Sequence, residues 1–169
     1  MITNFKKFED YSDDFIIKIE ATNELIKIID ENIIDNRSKE SSIKMINLLD
    51  EGAYPNIKAK NGQTPLTYAA TICSFDLIYK LIEVGADIEA KNDNGDTPIM
   101  RAAINSDLAS MRILLEAGAS LYCKNKQGHE TLGFLNTYDI NRIISKYPEQ
   151  YKDYLKKKEF DDSVTKFNL

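Results

Sequence analysis

Apolar residues recur at helical spacing in the centre of the chain, and the same short polar turn follows each apolar stretch. Ile78, Leu81 and Ile82 lie at i, i+3 and i+4, which places them on one face of a predicted helix. Residues 108–115 repeat this pattern one period of 33 residues later, and a Gly-Ala pair follows both stretches. Glycine ends a helix in this position because it adopts the left-handed conformation that satisfies the last carbonyl groups. The pattern therefore predicts amphipathic helices that stop at the glycines.

A second, shorter helix is predicted before each amphipathic helix. Thr64 and Thr97 each precede a proline, so the hydroxyl can cap free N–H groups while the proline occupies the first helical position. Alanine pairs that begin at Ala69 and Ala102 follow, and they leave room for neighbouring short helices to approach closely. An Asn-Gly pair shortly before each threonine predicts a tight, hairpin-like turn with positive φ.

A fixed period of this length is typical of solenoids built from stacked units, and the Thr-Pro-Leu and Gly-Ala positions resemble those of the ankyrin repeat. The resemblance covers residues 22–147 and is specific in two full repeats. It implies an all-α ankyrin-repeat solenoid of about four helix-turn-helix units, joined by β-hairpin-like loops, with non-repeat N- and C-terminal caps. The predicted segments are an N-terminal cap segment at 1–21, repeats at 22–57, 58–90, 91–123 and 124–148, and a C-terminal helix or tail at 149–169.

The chain departs from the family pattern at three equivalent positions. Thr67, Met100 and Gly133 stand where the family favours His. The usual side-chain bracing of the hairpin loop is therefore not expected, and the stack is expected to be looser than an idealised array.

Both ends of the chain depart from the repeat. Apolar residues in 1–20 fit strand alternation and one face of a helix, and we interpret this segment as a cap over the apolar end of the stack. Thr22 is predicted to N-cap the first helix of the first repeat, whose second helix follows a polar break at 36–42. In the fourth repeat Pro148 is predicted to end the outer helix, before one or two further turns and a frayed tail from 160.

Charge and motif content argue against several functional classes. The formal net charge of −5 disfavours a general nucleic-acid binder, which needs a basic face against phosphate. No apolar run is long enough to span a membrane. Cys73 and Cys123 are predicted to be free thiols, and the single histidine, His129, lacks the ligand cluster of a metal site. Phosphate-binding, nucleophile-elbow and zinc-protease motifs are absent. The sequence therefore predicts no enzyme activity, no cofactor, no metal, and neither nucleic acid nor membrane as a partner.

The surface that a stack creates is the remaining candidate site. The resemblance implies that its concave face, formed by hairpin tips and inner helices, binds another protein. The candidate partner-binding residues differ between otherwise matching repeats; they are Lys60, Asn61, Gln63, Tyr68, Thr71, Ile72, Asp93, Asn94, Asp96, Arg101, Ile104, Asn105, Lys126, Gln127, His129 and Phe134. Tyr68, Arg101 and Phe134 share one register and are expected to form a row of hot-spot residues. Phe134 equally fits a residue that packs under the C-terminal segment.

The predicted function is a non-catalytic protein–protein interaction module that uses the concave face. The alternative is a targeting or regulatory subunit of an enzyme carried on another chain. Hairpin and inner-helix stretches are net positive on an acidic chain, so the expected partner is a protein with an acidic or mixed-charge surface. The expected location is the cytoplasm, or a host cytoplasm for an exported effector or a viral protein.

Overall fold

The computed structural model describes the backbone of residues 13–31 and 38–167, and the side chains of 13–31 and 39–160. Its α-helices are α1 Asp13–Glu31, α2 Ser38–Asp50, α3 Pro65–Thr71, α4 Phe75–Glu83, α5 Pro98–Ile104, α6 Leu108–Glu116, α7 Thr137–Lys146 and α8 Pro148–Phe167; a short 3-10 helix, Thr131–Phe134, lies between α6 and α7. Apart from one antiparallel bridge between Lys124 and Glu130, the described residues contain no β-structure. The all-α prediction is confirmed.

The helices stack as pairs in two rows. α1, α3, α5 and the 3-10 helix pack against one another in chain order and form the inner row, while α2, α4 and α6 form the outer row. Ala69, Ala70, Ala102 and Ala103 are fully buried in the inner row, where α3 meets α5. Small side chains at this junction let the two helices approach, as predicted. On the apolar face of α4, Ile78 and Leu81 are also completely buried, while Ile82 is half-buried.

The hairpin loops touch one another in series along one edge of the stack. Gly62 has a φ of 78° in the loop before α3, and a Cβ added there would collide with the side chain of Asp93 in the next loop. The Lys126 N–H of the fourth loop donates to the Asn94 carbonyl at 2.9 Å. Glycine is required at 62 for both its conformation and this close approach.

A threonine pair closes the start of α3, where bracing was not expected. The Thr64 hydroxyl accepts from the Thr67 N–H at 3.2 Å, and the Thr67 hydroxyl accepts from the Thr64 N–H at 2.8 Å. This reciprocal capping box satisfies two backbone donors. Thr97 makes no corresponding cap hydrogen bond. Met100, which stands in the register of Thr67, has no group that could complete a box, so the bracing differs between the two repeats.

The first helix begins earlier than predicted, so the N-cap assignment of Thr22 is wrong. α1 starts at Asp13, and Thr22 lies in its middle. The Thr22 hydroxyl donates to the Lys18 carbonyl at 2.6 Å and accepts from the Tyr54 N–H at 3.0 Å. A hydroxyl that bonds back to the preceding turn is tolerated inside a helix, and here it also ties α1 to the loop after α2. Residues 1–12 of the predicted N-terminal cap lie outside the described residues.

Two further boundaries differ from the prediction. α2 begins at Ser38, so residues 38–42 of the predicted polar break are helical, whereas 36–37 lie outside the described residues. Pro148 follows the end of α7 as predicted, but it occupies the first position of α8, which continues to Phe167 in place of the expected frayed tail. Proline is compatible with that position because the first N–H of a helix has no intrahelical partner.

Candidate functional site

The candidate site is the surface beside the hairpin loops and inner helices. The predicted site residues that are exposed are Lys60, Asn61, Asp93, Asn94, Ile104, Asn105, Lys126, Gln127 and His129, and those that are half-buried are Gln63, Thr71, Ile72, Arg101 and Phe134. Tyr68 and Asp96 are buried. Two of the predicted residues are therefore not available to a partner.

Tyr68 is a core residue, and its assignment as an interface hot spot is wrong. It is 0% exposed, and its hydroxyl has no hydrogen-bond partner. Burial raises the pKa of the Tyr68 phenol above its ordinary value. The ring lies in a helix whose neighbouring residues, Ala69 and Ala70, are small and also buried, and burying such a ring stabilises the fold by about 1.5–3 kcal/mol.

Arg101 belongs to a polar network that crosses three repeats. Its Nε donates to the Thr71 hydroxyl at 3.0 Å, and its guanidinium lies 3.5 Å from an Asp96 carboxylate oxygen. Asp96 is 3% exposed and also accepts from the Asn125 side-chain amide at 2.9 Å. A buried carboxylate needs such partners because desolvation otherwise disfavours its charge. Asp96 therefore has a structural role, which corrects its assignment to the partner-binding set.

Sequence reasoning missed Asn92 and Asn125, which support this network. The Asn92 side chain accepts from the Asp96 N–H at 2.9 Å, and the Asn125 side chain accepts from the His129 N–H at 3.0 Å. The recurrence of asparagine at a spacing of one period was the available signal, since a polar residue repeated in register indicates a repeated backbone contact.

The exposed hairpin tips carry two lysines without ion pairs. Lys60 and Lys126 form no salt bridge within the described part of the chain, whereas Lys58 lies 2.9 Å from Asp93. The hydrogen bond and charge of Lys58 hold the pKa of the Asp93 carboxyl below its ordinary value. The tips therefore present positive charge at Lys60 and Lys126 and a neutralised pair between them.

The frame behind these tips is held by hydrogen bonds. The Asn61 side-chain amide donates to the Ile29 carbonyl at 2.7 Å, and the Asn61 N–H donates to the Asp30 carboxylate at 3.1 Å. The Asn105 side-chain amide donates to the Thr71 carbonyl at 2.9 Å. Asn61 and Asn105 are thus exposed but partly committed to neighbouring helices.

Phe134 and Ile72 are half-buried and pack against other parts of the chain. Phe134 packs edge-to-face against the imidazole of His129, with ring centroids 5.6 Å apart. Ile72 lies in the turn after α3 and lines a groove with Phe75, at the end of α3 that is remote from its hairpin loop. Ile72 therefore does not share a surface with the hairpin tips.

The fourth repeat uses its hairpin to anchor α8. Glu130 stands in the register of Thr64 and Thr97, and its carboxylate accepts from the Tyr154 hydroxyl at 2.6 Å and from Lys158 at 3.2 Å. The rings of Tyr122 and Tyr154 meet edge-to-face, with centroids 5.9 Å apart. Partial burial by itself raises the pKa of the Glu130 carboxyl, but the two hydrogen bonds and the nearby lysine charges outweigh it, so that pKa lies below its ordinary value.

Both cysteines are free, as predicted. Loss of hydration, reinforced by Asp107, raises the pKa of the Cys73 thiol to about 11. Burial, reinforced by Glu89, raises the pKa of the Cys123 thiol to about 11 as well. Because the thiolate is the reactive form, neither side chain is an activated nucleophile at neutral pH.

Comparison with known proteins identifies the family. The family described as ankyrin repeats, in three copies, matches residues 36–125, which is more than half of the chain. The chain therefore belongs to the ankyrin-repeat family. A search of curated proteins found no match. Ankyrin repeats are generally protein–protein interaction modules and are typically non-catalytic.

Membrane-spanning helices and metal-ligand clusters are both absent from the described part of the chain. Within 13–31 and 38–167, no helix combines the length and the hydrophobicity that crossing a membrane requires. Among the side chains of residues 13–31 and 39–160, no three from His, Cys, Asp or Glu are grouped as metal ligands would be.

Proposed function

We propose that this chain is a non-catalytic binding module that holds a partner protein against its hairpin tips and inner helices. The observation that carries the proposal is the pair Lys60 and Lys126, which are exposed and without ion pairs on loops that are hydrogen-bonded to their neighbours. A preorganised frame reduces the ordering cost of binding. The variable side chains then select the partner.

The charge of this surface supports a partner with an acidic or mixed-charge surface. The opposite charges within the Lys58–Asp93 pair and within the Arg101–Asp96 pair neutralise each other. Among the described residues, Lys60 and Lys126 remain as unpaired charges at the tips. Complementary charge accelerates encounter more than it increases affinity. Exposed Ile104 and half-buried Phe134 supply apolar area on the same elements.

We also propose a cytoplasmic location, which two free thiols support because disulfides form in oxidising compartments. A fluorescent fusion expressed in the source cell tests the location.

The binding surface is tested by kinetics once a partner has been captured by crosslinking and identified by mass spectrometry. Lys60→Glu and Lys126→Glu are expected to slow association and flatten its dependence on salt, whereas Phe134→Ala is expected to speed dissociation. Arg112→Glu is the matched control, because it reverses an exposed charge on the outer helix α6. If Arg112→Glu changes the rates and the three inner-side variants do not, the assignment is wrong.

A further inference from the structure

A groove lies between α2 and the turn that joins α3 to α4. Ile43, Ile46, Ile72 and Phe75 line it with apolar atoms, and its volume is about 330 Å³. Ile43 is 53% exposed and Phe75 is 43% exposed. Since a cavity of about 150 Å³ accepts a benzene molecule, the groove has room for two apolar side chains of that size.

At two of these four positions, Ile43 and Ile72, the next repeat does not keep an apolar residue. One period after Ile43 the chain carries Asp76, and one period after Ile72 it carries Asn105; both counterparts are exposed. The same packing is therefore achieved with polar residues at these positions. Ile46 and Ile72 also pack against the core, whereas Ile43 and Phe75 are both exposed beside them. Apolar side chains that stay exposed together are typical of a binding surface.

One wall of the groove is an addition to the first repeat. α4 begins at Phe75, whose counterpart one period earlier is Ser42, but α2 already begins at Ser38. The additional turn of α2 carries Lys39, which lines the groove. The second and third repeats have no equivalent turn, because α4 and α6 both start at the later register.

The groove carries opposite charges beside its apolar surface. Lys39 and Asp76 both line it, and neither forms an ion pair within the described residues. A complementary segment therefore presents apolar side chains together with one acid and one base. The lining residues belong to helices and a turn and offer no strand edge, so of the common peptide-binding modes an amphipathic helix in a groove is the one that fits.

We propose that this groove is a second interaction site, which binds an amphipathic helix of a partner protein. Two apolar side chains of that helix, three or four positions apart, occupy the space beside Ile43 and Phe75, an acidic residue pairs with Lys39 and a basic residue pairs with Asp76. The groove is separate from the hairpin surface, so this proposal is tested independently of the proposed function.

A phage-displayed library of random 16-residue peptides tests the proposal. Peptides are selected on the full chain after depletion on Ile43→Asp, a variant that carries the residue found one period later and is therefore compatible with the fold. Enriched peptides are expected to show two apolar residues three or four positions apart, flanked by an acid and a base. They are expected to bind Ile43→Asp at least tenfold more weakly, and Lys60→Glu, on the hairpin surface, as well as the native chain.

Two further variants sharpen the result. Ile72→Asn copies Asn105 and is expected to weaken binding of the same peptides, which gives an independent answer if Ile43→Asp lowers stability. Lys39→Glu is expected to lose binding that is regained when the acid of the peptide is exchanged for lysine. The proposal is overturned if no peptide is enriched on the native chain over Ile43→Asp. It is also overturned if the selected peptides bind Ile43→Asp and Ile72→Asn as tightly as they bind the native chain. A dimer in sedimentation equilibrium that Ile43→Asp dissociates also overturns it, since a second copy would then occupy the groove.

Discussion

Ser106 occupies a backbone conformation that favours glycine. Its φ is 53° in the turn between α5 and α6, and Cys73 holds a φ of 54° in the corresponding turn of the preceding repeat. A left-handed conformation costs a residue with a Cβ about 1–2 kcal/mol. Glycine relieves this cost, but its larger backbone entropy in the unfolded chain offsets about 0.5–1 kcal/mol of the stability gained. Ser106→Gly is therefore expected to raise the free energy of unfolding by about 0.5–1 kcal/mol.

The contacts of this turn do not depend on the serine side chain. The Ser106 N–H donates to the Ala103 carbonyl and the Asp107 N–H donates to the Ala102 carbonyl, both at 2.9 Å, and these backbone bonds remain after substitution. Ser106 is exposed, and its hydroxyl makes no hydrogen bond within the described residues. Relief of backbone strain is thus the dominant effect. Cys73→Gly is a less clean test because its side chain also lines the groove.

Urea denaturation followed by far-ultraviolet circular dichroism measures the change. The midpoint is expected to rise at constant m value, and the melting temperature is expected to rise by about 1–4 °C. Gly85→Ala is the matched control: its φ is 85° and no atom lies within 4 Å of the added Cβ, so it reverses the same two backbone effects without a clash and is expected to cost about 0.5–1 kcal/mol. A lower midpoint for Ser106→Gly, together with a lower midpoint for Gly85→Ala, would refute the reasoning for Ser106.

Three further predictions concern the core and the α8 anchor. Tyr68→Phe is expected to raise the free energy of unfolding by about 1 kcal/mol, because it removes a buried hydroxyl without a partner. Tyr68→Ala is expected to lower it by about 3–5 kcal/mol. A lower urea midpoint for Tyr68→Phe would show that the hydroxyl is bonded. Ala69→Val and Ala102→Val are each expected to cost about 1–3 kcal/mol, and Lys60→Ala less than about 0.5 kcal/mol; the reverse ranking of midpoints would contradict the assignment of the buried face. The pKa of Glu130 is lowered in the folded chain, so the contribution of this carboxylate to stability is complete above the ordinary pKa of 4.5 and is lost as pH falls through the lowered pKa. The native chain should therefore lose more stability on acidification than Glu130→Gln. Parallel acid titrations of the two proteins would count against the anchor.

Local signals predicted the repeat units well. The Thr-Pro starts of α3 and α5 and the glycines after α4 and α6 act within one turn of their own helix, so the sequence alone locates them. The inner-helix alanines were predicted for the same reason, since a small side chain is visible without knowledge of its neighbour. The family comparison confirms the resemblance on which these predictions depended.

Contacts between distant residues account for the errors. Thr22 bonds to the backbone of Tyr54, and α8 is anchored through Tyr154 to Glu130, which lies 24 positions earlier in the chain. Tyr68 and Arg101 share a register, yet the first is buried and the second is half-buried, because their environments depend on which residues the adjoining repeats present. The groove at Ile43 could not be predicted from the sequence. An isoleucine in a helical pattern looks like a core residue, and only the assembled stack shows that it is exposed.

The Arg101 network also limits how the array can lengthen. Repeat arrays grow by tandem duplication, and a second copy of residues 91–123 would place Asn92 in the register of Asn125, so the amide that binds Asp96 would be reproduced. The same duplication would place Ile104 in the register of Thr71, and the guanidinium of the copied arginine would lose the hydroxyl that accepts its Nε–H. Single side chains thus constrain the number of repeats. An added unit would need a hydroxyl in place of Ile104, in the register of Thr71, before it could stack as firmly as the original.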